Sequence, residues 1–248
     1  MKKVRIYDRE HYSPTPRYDK LDHRRKRVIK IFSNHKFNRI LDIGCGDGKY
    51  SALLGKVCNA TEVYGIDISE KGVKLARNNG IKAFQLDIDE DDLPFKDNYF
   101  DAIFCGDLIE HLYDPDHLLD ECYRVLKEGG LFVITTPNLA SWINRIALLF
   151  GFQPYATNVS LRYSIGHLYE PLKGSRIGEA DHKKVFTYRS IIRLLCIHKF
   201  NILNTIGERT NIPSNLKTSI LVNGLDRVFS LFPSLAHSMI IVCVKSAR

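Results

Sequence analysis

Residues 39–50, Arg-Ile-Leu-Asp-Ile-Gly-Cys-Gly-Asp-Gly-Lys-Tyr, constrain this chain more than any other stretch. A short apolar run ends in three glycines at alternate positions, and a helix-compatible segment, Tyr50 to Val57, follows directly. The order predicts a strand, a tight turn and a helix. Glycine serves where the backbone takes positive φ or where a ligand lies against it with no Cβ between. Gly44, Gly46 and Gly48 therefore predict a floor beneath a bound small molecule.

The chemistry of that molecule is narrowed by what surrounds the glycines. Their spacing is GxGxG rather than the dinucleotide GxGxxG, and two carboxylates, Asp42 and Asp47, sit among them. A pyrophosphate would be repelled there. A cationic amino-acid head group or the hydroxyls of an adenosine would not, so the loop favours S-adenosylmethionine over NAD and argues against a dehydrogenase.

Short β-rich runs then alternate with helical segments. Arg39 to Ile43, Glu62 to Ile66, Lys82 to Leu86, Phe100 to Cys105 and Gly130 to Thr135 are the expected strands. Helices are expected over Leu21–Asn34, from Ser69-Glu70 to an Asn79-Gly80 stop, and over Leu118–Leu126. Repeated alternation predicts a parallel sheet with helices on both faces, whose ligands bind at the carboxyl ends of the strands. Asp67, Asp87 and Gly106-Asp107 fall at such ends, beside the glycine loop. After residue 137 the rhythm breaks. Ser141 to Phe150 reads as an amphipathic helix and Gln153 to Asp181 as a long irregular stretch, the signature of a lid. Helix and strand return over Thr187–His198, Asn201–Ile206, Leu221–Phe232 and Met239–Val244.

The net charge of +8 is unevenly spread: residues 1–39 carry +9, residues 40–137 carry −10 and residues 138–248 carry +9. An acidic centre suits a cofactor bearing sulfonium and ammonium groups, while basic flanks suit an anionic acceptor, a nucleic acid or an anionic lipid surface. The run Arg24-Arg25-Lys26-Arg27 reads as a solvated helix face. Six scattered cysteines without a CxxC pair read as small buried hydrophobes in a reducing cytoplasm, and neither a signal peptide nor a transmembrane run is expected. The expected location is cytoplasmic.

Six motifs, in order, resemble the class I S-adenosylmethionine-dependent methyltransferases of the type 11/type 12 kind. They are Leu41-Asp42-Ile43-Gly44-Cys45-Gly46, Gly65-Ile66-Asp67, Leu86-Asp87-Ile88, Phe100-Asp101-Ala102-Ile103, Glu110-His111-Leu112 with Asp114-Pro115, and Leu126-Lys127-Glu128-Gly129-Gly130. The resemblance implies an α/β, Rossmann-like sheet of strand order 3-2-1-4-5-7-6, its seventh strand antiparallel, with an inserted lid. It divides the chain into an N-terminal arm and helix (1–38), a cofactor-binding core (39–137), a lid for the acceptor (138–186) and a segment completing the sheet (187–248). It also implies that Asp42, Gly44, Cys45 and Gly46 hold the methionine end of the cofactor and Asp67 the ribose hydroxyls. Ile68, Asp87 and Ile88 would serve the ribose and adenine, and backbone near Gly106 the ammonium. The product would be S-adenosylhomocysteine.

Methyl transfer from a sulfonium needs alignment, and a base only where the acceptor must lose a proton. His111 and His182 are the candidate bases. A helical turn starting at Asp107 would place Asp107, Glu110 and His111 on one face, and with His182 they could hold a divalent ion. That pattern is similar to small-RNA 3′-end 2′-O-methyltransferases and in part to ubiquinone-pathway O-methyltransferases. The metal-free reading is preferred here. Tyr12, Tyr18, Asn138, Trp142 and the stretch Tyr155 to Tyr169 are expected to form the acceptor pocket. Its contents are open: a small molecule, glycan or lipid-linked acceptor for O-methylation is favoured over RNA, with a non-catalytic binding module as a third reading. The apolar segment from Trp142 to Phe152 suits either core packing or contact with a membrane surface. Oligomeric state is not fixed by the sequence.

Overall fold

The structure is a computed structural model and describes residues 22–160, 163–167, 182–210 and 219–246. Helix α1 (His23–Ser33) starts where the Asp22 carboxylate accepts the Arg25 N–H at 2.8 Å. Strand β1 (Arg39–Ile43) and helix α2 (Lys49–Val57) flank the glycine loop as expected. Strand β2 (Glu62–Asp67) leads to α3 (Glu70–Asn78), which Ser69 caps and which stops before Gly80, at φ 82°. Then come β3 (Lys82–Gln85), β4 (Phe100–Gly106), α4 (Pro115–Val125) and β5 (Leu126–Pro137). Helix α5 (Trp142–Leu149), α6 (Tyr188–Ile197), β6 (Phe200–Glu208), α7 (Ser219–Phe229) and β7 (Ser238–Lys245) complete the order.

The seven strands form one sheet in the order β3-β2-β1-β4-β5-β7-β6, the order expected from the sequence. All pairings are parallel except those of β7, which runs antiparallel to both neighbours. Side chains alternate across the strands and feed two cores. Leu41, Ile43, Ile103, Phe132, Ile134 and Ile241 pack with Leu118, Cys122, Ile191 and Leu195 from α4 and α6. On the opposite face Ile40, Ala102, Phe104, Val133 and Ile240 pack with Val28 and Phe32 of α1 and Leu54 of α2. Such near-continuous apolar strands are what a parallel sheet buried on both faces requires.

Three boundaries differ from expectation by three residues or more, each for a local reason. Helix α4 begins earlier, because Asp114 caps it by accepting the His117 N–H and Pro115 occupies its first turn. Strand β5 begins at Leu126 rather than Gly130: Phe100 pairs with Leu126 and Ala102 with Leu131, so residues 127–130 bulge between them and use the positive φ of Gly129. Helix α7 ends at Phe229, not Phe232, ahead of Pro233. Five of the six cysteines are buried as expected, and Cys196 is exposed.

Candidate functional site

The carboxyl ends of β1, β2 and β4 converge where the sheet order reverses, and the glycine loop spans them. Gly44, Gly46 and Gly48 all have positive φ, at 83°, 56° and 75°. Gly48 also has no space for a side chain, since a Cβ would approach Ala76 and Ile81 to 2.8–2.9 Å. The loop is pinned to the end of β2: Gly44 and Cys45 N–H groups donate to the Ile66 carbonyl, and Gly46 N–H donates to Asp67 Oδ2 at 2.8 Å. Asp67 Oδ1 accepts from Ser69 N–H at 2.8 Å. A carboxylate offers about four lone-pair positions, so these bonds leave its chemistry compatible with ribose hydroxyls.

Asp42 is 4% exposed and accepts a 2.5 Å hydrogen bond from Ser51 Oγ of α2. Burial pushes its pKa up to about 7, with Asp67 adding to the rise and Ser51 opposing it. A buried acid held this high gains from an incoming cation. Burial, helped by Asp42 and Asp67, also raises the Cys45 thiol well above its usual range, so Cys45 packs rather than reacts. Asp87 is half-buried beyond β3 and accepts the Asp89 N–H, Ile88 is buried among the core residues, and Ile68 is half-buried with its carbonyl accepting from Gln85. Gly106 closes β4, where a Cβ would meet the Phe104 ring at 2.6 Å.

The expected helical turn from Asp107 is corrected by the structure. Asp107 has φ 49° and lies outside the short 3-10 turn Ile109–His111. Its carboxylate faces Arg24 of α1, with contacts of 2.8 and 2.5 Å, and accepts from Thr135 Oγ1 at 3.0 Å. Its carboxylate is thus taken up by Arg24 and Thr135 and does not join the donor cluster of Glu110, His111 and His182. Arg24 was not foreseen as a site residue, and the basic run it begins is no mere solvated face: Arg27 Nε lies 3.1 Å from Glu208 and its Nη1 donates to the Gly207 carbonyl.

Glu110, His111 and His182 do come together, as the sequence predicts, each offering a donor atom within 4.8 Å of the others. Glu110 is fully buried; Thr136 Oγ1 donates to its Oε2 at 3.0 Å, whereas its Oε1 is buried without a hydrogen-bond partner. Burial and the nearby Asp107 charge push its pKa up to about 8. Its backbone carbonyl accepts from the Lys183 and Lys184 N–H groups, which ties the segment after the lid to the end of β4. The His182 ring lies 4.7 Å from that of His111 and its Nε2 is 4.0 Å from Glu110 Oε1. His182 Nδ1 is 2.8 Å from the Ala156 carbonyl, which can only accept. Nδ1 therefore carries the proton, and in the neutral ring Nε2 is the basic nitrogen.

The acceptor residues fare differently. Asn138 is buried and spends its amide on carbonyls of Pro233, Ser234 and Ala236, while its side-chain oxygen accepts from Ala140 N–H. Trp142 is buried, donates from Nε1 to Asp226 at 2.9 Å and packs on Phe229. Asn138 fastens its segment to the turn before β7 and Trp142 fastens α5 to α7, because a buried amide and indole must satisfy their donors locally. Tyr155 stacks on His167 at 5.7 Å. Tyr12, Tyr18 and Tyr169 lie outside the described residues.

Comparison with known proteins agrees with this geometry. Residues 41–134 match the model of a methyltransferase domain family. A ubiquinone biosynthesis O-methyltransferase of Xylella fastidiosa is 34% identical over 105 residues, which cover 40% of this chain and 42% of that one. A demethylmenaquinone methyltransferase of Staphylococcus aureus is 35% identical over 137 residues, 52% of this chain and 56% of that one. The match thus spans about half the length of these relatives or less. A solved S-adenosylmethionine-dependent methyltransferase from Archaeoglobus fulgidus superposes with a TM-score of 0.56 at 23% identity, over 90% of this chain and 91% of that one, and shows the shared fold.

Proposed function

We propose that this chain, whose residues 41–134 match a methyltransferase domain, is a class I S-adenosylmethionine-dependent methyltransferase that moves a methyl group from that cofactor to a hydroxyl of a small molecule, glycan or lipid-linked acceptor. The observation that carries the reading is the convergence of Asp42, Asp67 and the three left-handed glycines at the reversal point of the sheet. Asp42 faces the cationic methionine end, Asp67 the ribose hydroxyls, and Asp87 with Ile88 the adenine. Bare glycine backbone lets the cofactor lie close, and alignment of acceptor with methyl supplies about 7–11 kcal/mol of the catalysis.

His182 takes the acceptor proton at Nε2, held in the right tautomer by the Ala156 carbonyl. Glu110 Oε1 lies 4.0 Å away and stabilises the imidazolium once Glu110 itself is ionised. His111 packs against His182 and completes the polar wall. Both quinone-pathway relatives carry methyltransferase names, which supports a small-molecule acceptor for this chain. A second reading is favoured by the orphaned Glu110 oxygen among two imidazoles: Glu110, His111 and His182 suit a nitrogen- and oxygen-preferring divalent ion, which would orient and polarise the acceptor hydroxyl.

Calorimetric titration with S-adenosylmethionine, followed by detection of S-adenosylhomocysteine against a panel of phenols, quinols and glycans, tests the proposal. Binding with product from a hydroxyl acceptor supports it. Absence of cofactor binding rejects it, and binding without product from any acceptor moves the chain to a non-catalytic module. Activity lost in EDTA and restored by Mn²⁺ or Mg²⁺ selects the metal reading.

A further inference from the structure

Helix α5 and the turn after α7 lie by the carboxyl ends of β5 and β6 and the amino end of β7, on the same edge as the glycine loop: Pro137 and Glu208 both pair with Ser238 at the start of β7. The two elements are locked together. Trp142 stacks on Phe229 and donates to Asp226, and Arg145 reaches the Ser234 carbonyl. Beyond this junction the apolar side chains turn outward. Leu148, Leu149 and Phe150 at the end of α5 are 58%, 79% and 69% exposed, and Val228, Leu231 and Phe232 at the end of α7 are 52%, 75% and 55% exposed. Core packing accounts for Trp142 and Ala147 of this segment but not for these six.

The charge around the patch says what would cover it. Residues 138–160 contain no Asp or Glu at all, and residues 219–246 contain only Asp226. Asp226 is buried and committed to Trp142 and the Thr210 N–H. Arg145, Arg209 and Arg227 are exposed beside it. Protruding Leu and Phe side chains ringed by arginines, with no exposed carboxylate among the described residues of these segments, complement an anionic interface with an apolar interior. A protein partner needs no such asymmetry of charge. We propose that this face docks on the surface of a bilayer rich in anionic lipid, inserting Leu149, Phe150, Leu231 and Phe232 among the acyl chains while the arginines meet phosphate headgroups.

Co-sedimentation with vesicles tests it, comparing phosphatidylcholine alone with phosphatidylcholine containing about one-third phosphatidylglycerol. The protein is expected to bind the anionic vesicles, less so as salt rises. Leu149→Glu/Phe150→Glu and Leu231→Glu/Phe232→Glu should each weaken binding by about ten-fold or more, since each pair loses two inserted side chains and gains two charges facing like charge. Unchanged S-adenosylmethionine titration shows that the fold survives. Should a charge variant unfold, Leu149→Cys labelled with a polarity-sensitive dye in a Cys196→Ser background replaces it, and a blue shift on adding anionic vesicles is expected. No binding to anionic vesicles, equal binding by the charge variants, an unshifted dye, or a dimer that the same variants dissociate would overturn the proposal, the last by identifying a second copy as the occupant.

Discussion

The two halves of the carboxyl edge are built differently. On the β1–β2 side the glycine loop is held by its own backbone: the N–H groups of Gly44, Cys45 and Gly46 donate to Ile66 and Asp67 of β2. On the β5–β7 side the conspicuous polar side chains, Asn138 and Trp142, are consumed in holding this segment to the turn before β7 and to α7. The first half is preorganised for one ligand by chain geometry. The second is a frame of side-chain contacts that ties α5 to α7 and to the turn before β7. Between the halves sit Glu110, His111 and His182, the last delivered by the segment that follows the lid.

Breaking the junction between the halves should have the largest effect. His182→Ala is expected to lower kcat by about 10²–10⁴-fold with cofactor affinity unchanged, the range for losing a positioned general base. His111→Ala, which removes only the packed neighbour in the metal-free reading, should cost much less. Equal collapse of the two, reversed by added Mn²⁺, would replace the base with a metal. Asp67→Ala comes next. It removes the ribose acceptor and strands the Gly46 and Ser69 N–H groups, so cofactor affinity should fall by about 100-fold, equivalent to about 2.7 kcal/mol. Calorimetry showing a change below about three-fold would remove Asp67 from the donor site.

What was legible in the sequence follows the same division. The strands, the glycine loop and the acids at strand ends could be read because they depend on short-range pattern, namely apolar runs, glycines at alternate positions and one acid per strand end, while the strand order came with the family resemblance. Arg24 could not, for its partner Asp107 is 83 residues away and the contact exists only because α1 crosses the end of β4. Asp107 itself was misread, since a turn that looks helical in spacing starts with a left-handed residue. Asn138 and Trp142 looked functional because amides and indoles often are. Their role was set by donors needing partners after burial, a fact of tertiary packing. Glu110 was seen, but its fully buried and half-satisfied carboxylate was not.

Asn138 offers a sharper contrast with Asp67. Asn138→Ala deletes three side-chain donor contacts to the turn before β7 and leaves those carbonyls unpaired, so stability should fall by about 1–3 kcal/mol while cofactor affinity stays within about two-fold. Chemical denaturation and calorimetry on one sample check both, and a large affinity loss would return Asn138 to the ligand site.

The smallest effect per unit distinguishes the two buried acids. Asp42 and Glu110 have folded pKa values above their ordinary ones, about 7 against 3.8 and about 8 against 4.5. Between those limits the folded protein retains protons that the unfolded chain has released, so stability without cofactor falls as pH rises, by up to about 1.4 kcal/mol per pH unit for each group. Glu110→Gln keeps the size of the side chain and an oxygen for Thr136, and removes its proton from the balance. It should flatten the slope from pH ~4.5 up to pH ~8 and remove what slope persists above pH ~7, whereas Asp42→Asn should flatten it from pH ~4 to pH ~7 and leave the part above largely in place. Thermal melts of the three proteins across pH ~4–9 check the assignment. If Glu110→Gln leaves the high-pH slope unchanged, Glu110 is already ionised in the folded protein, and an ionised buried carboxylate beside two imidazoles is the state that a bound divalent cation requires.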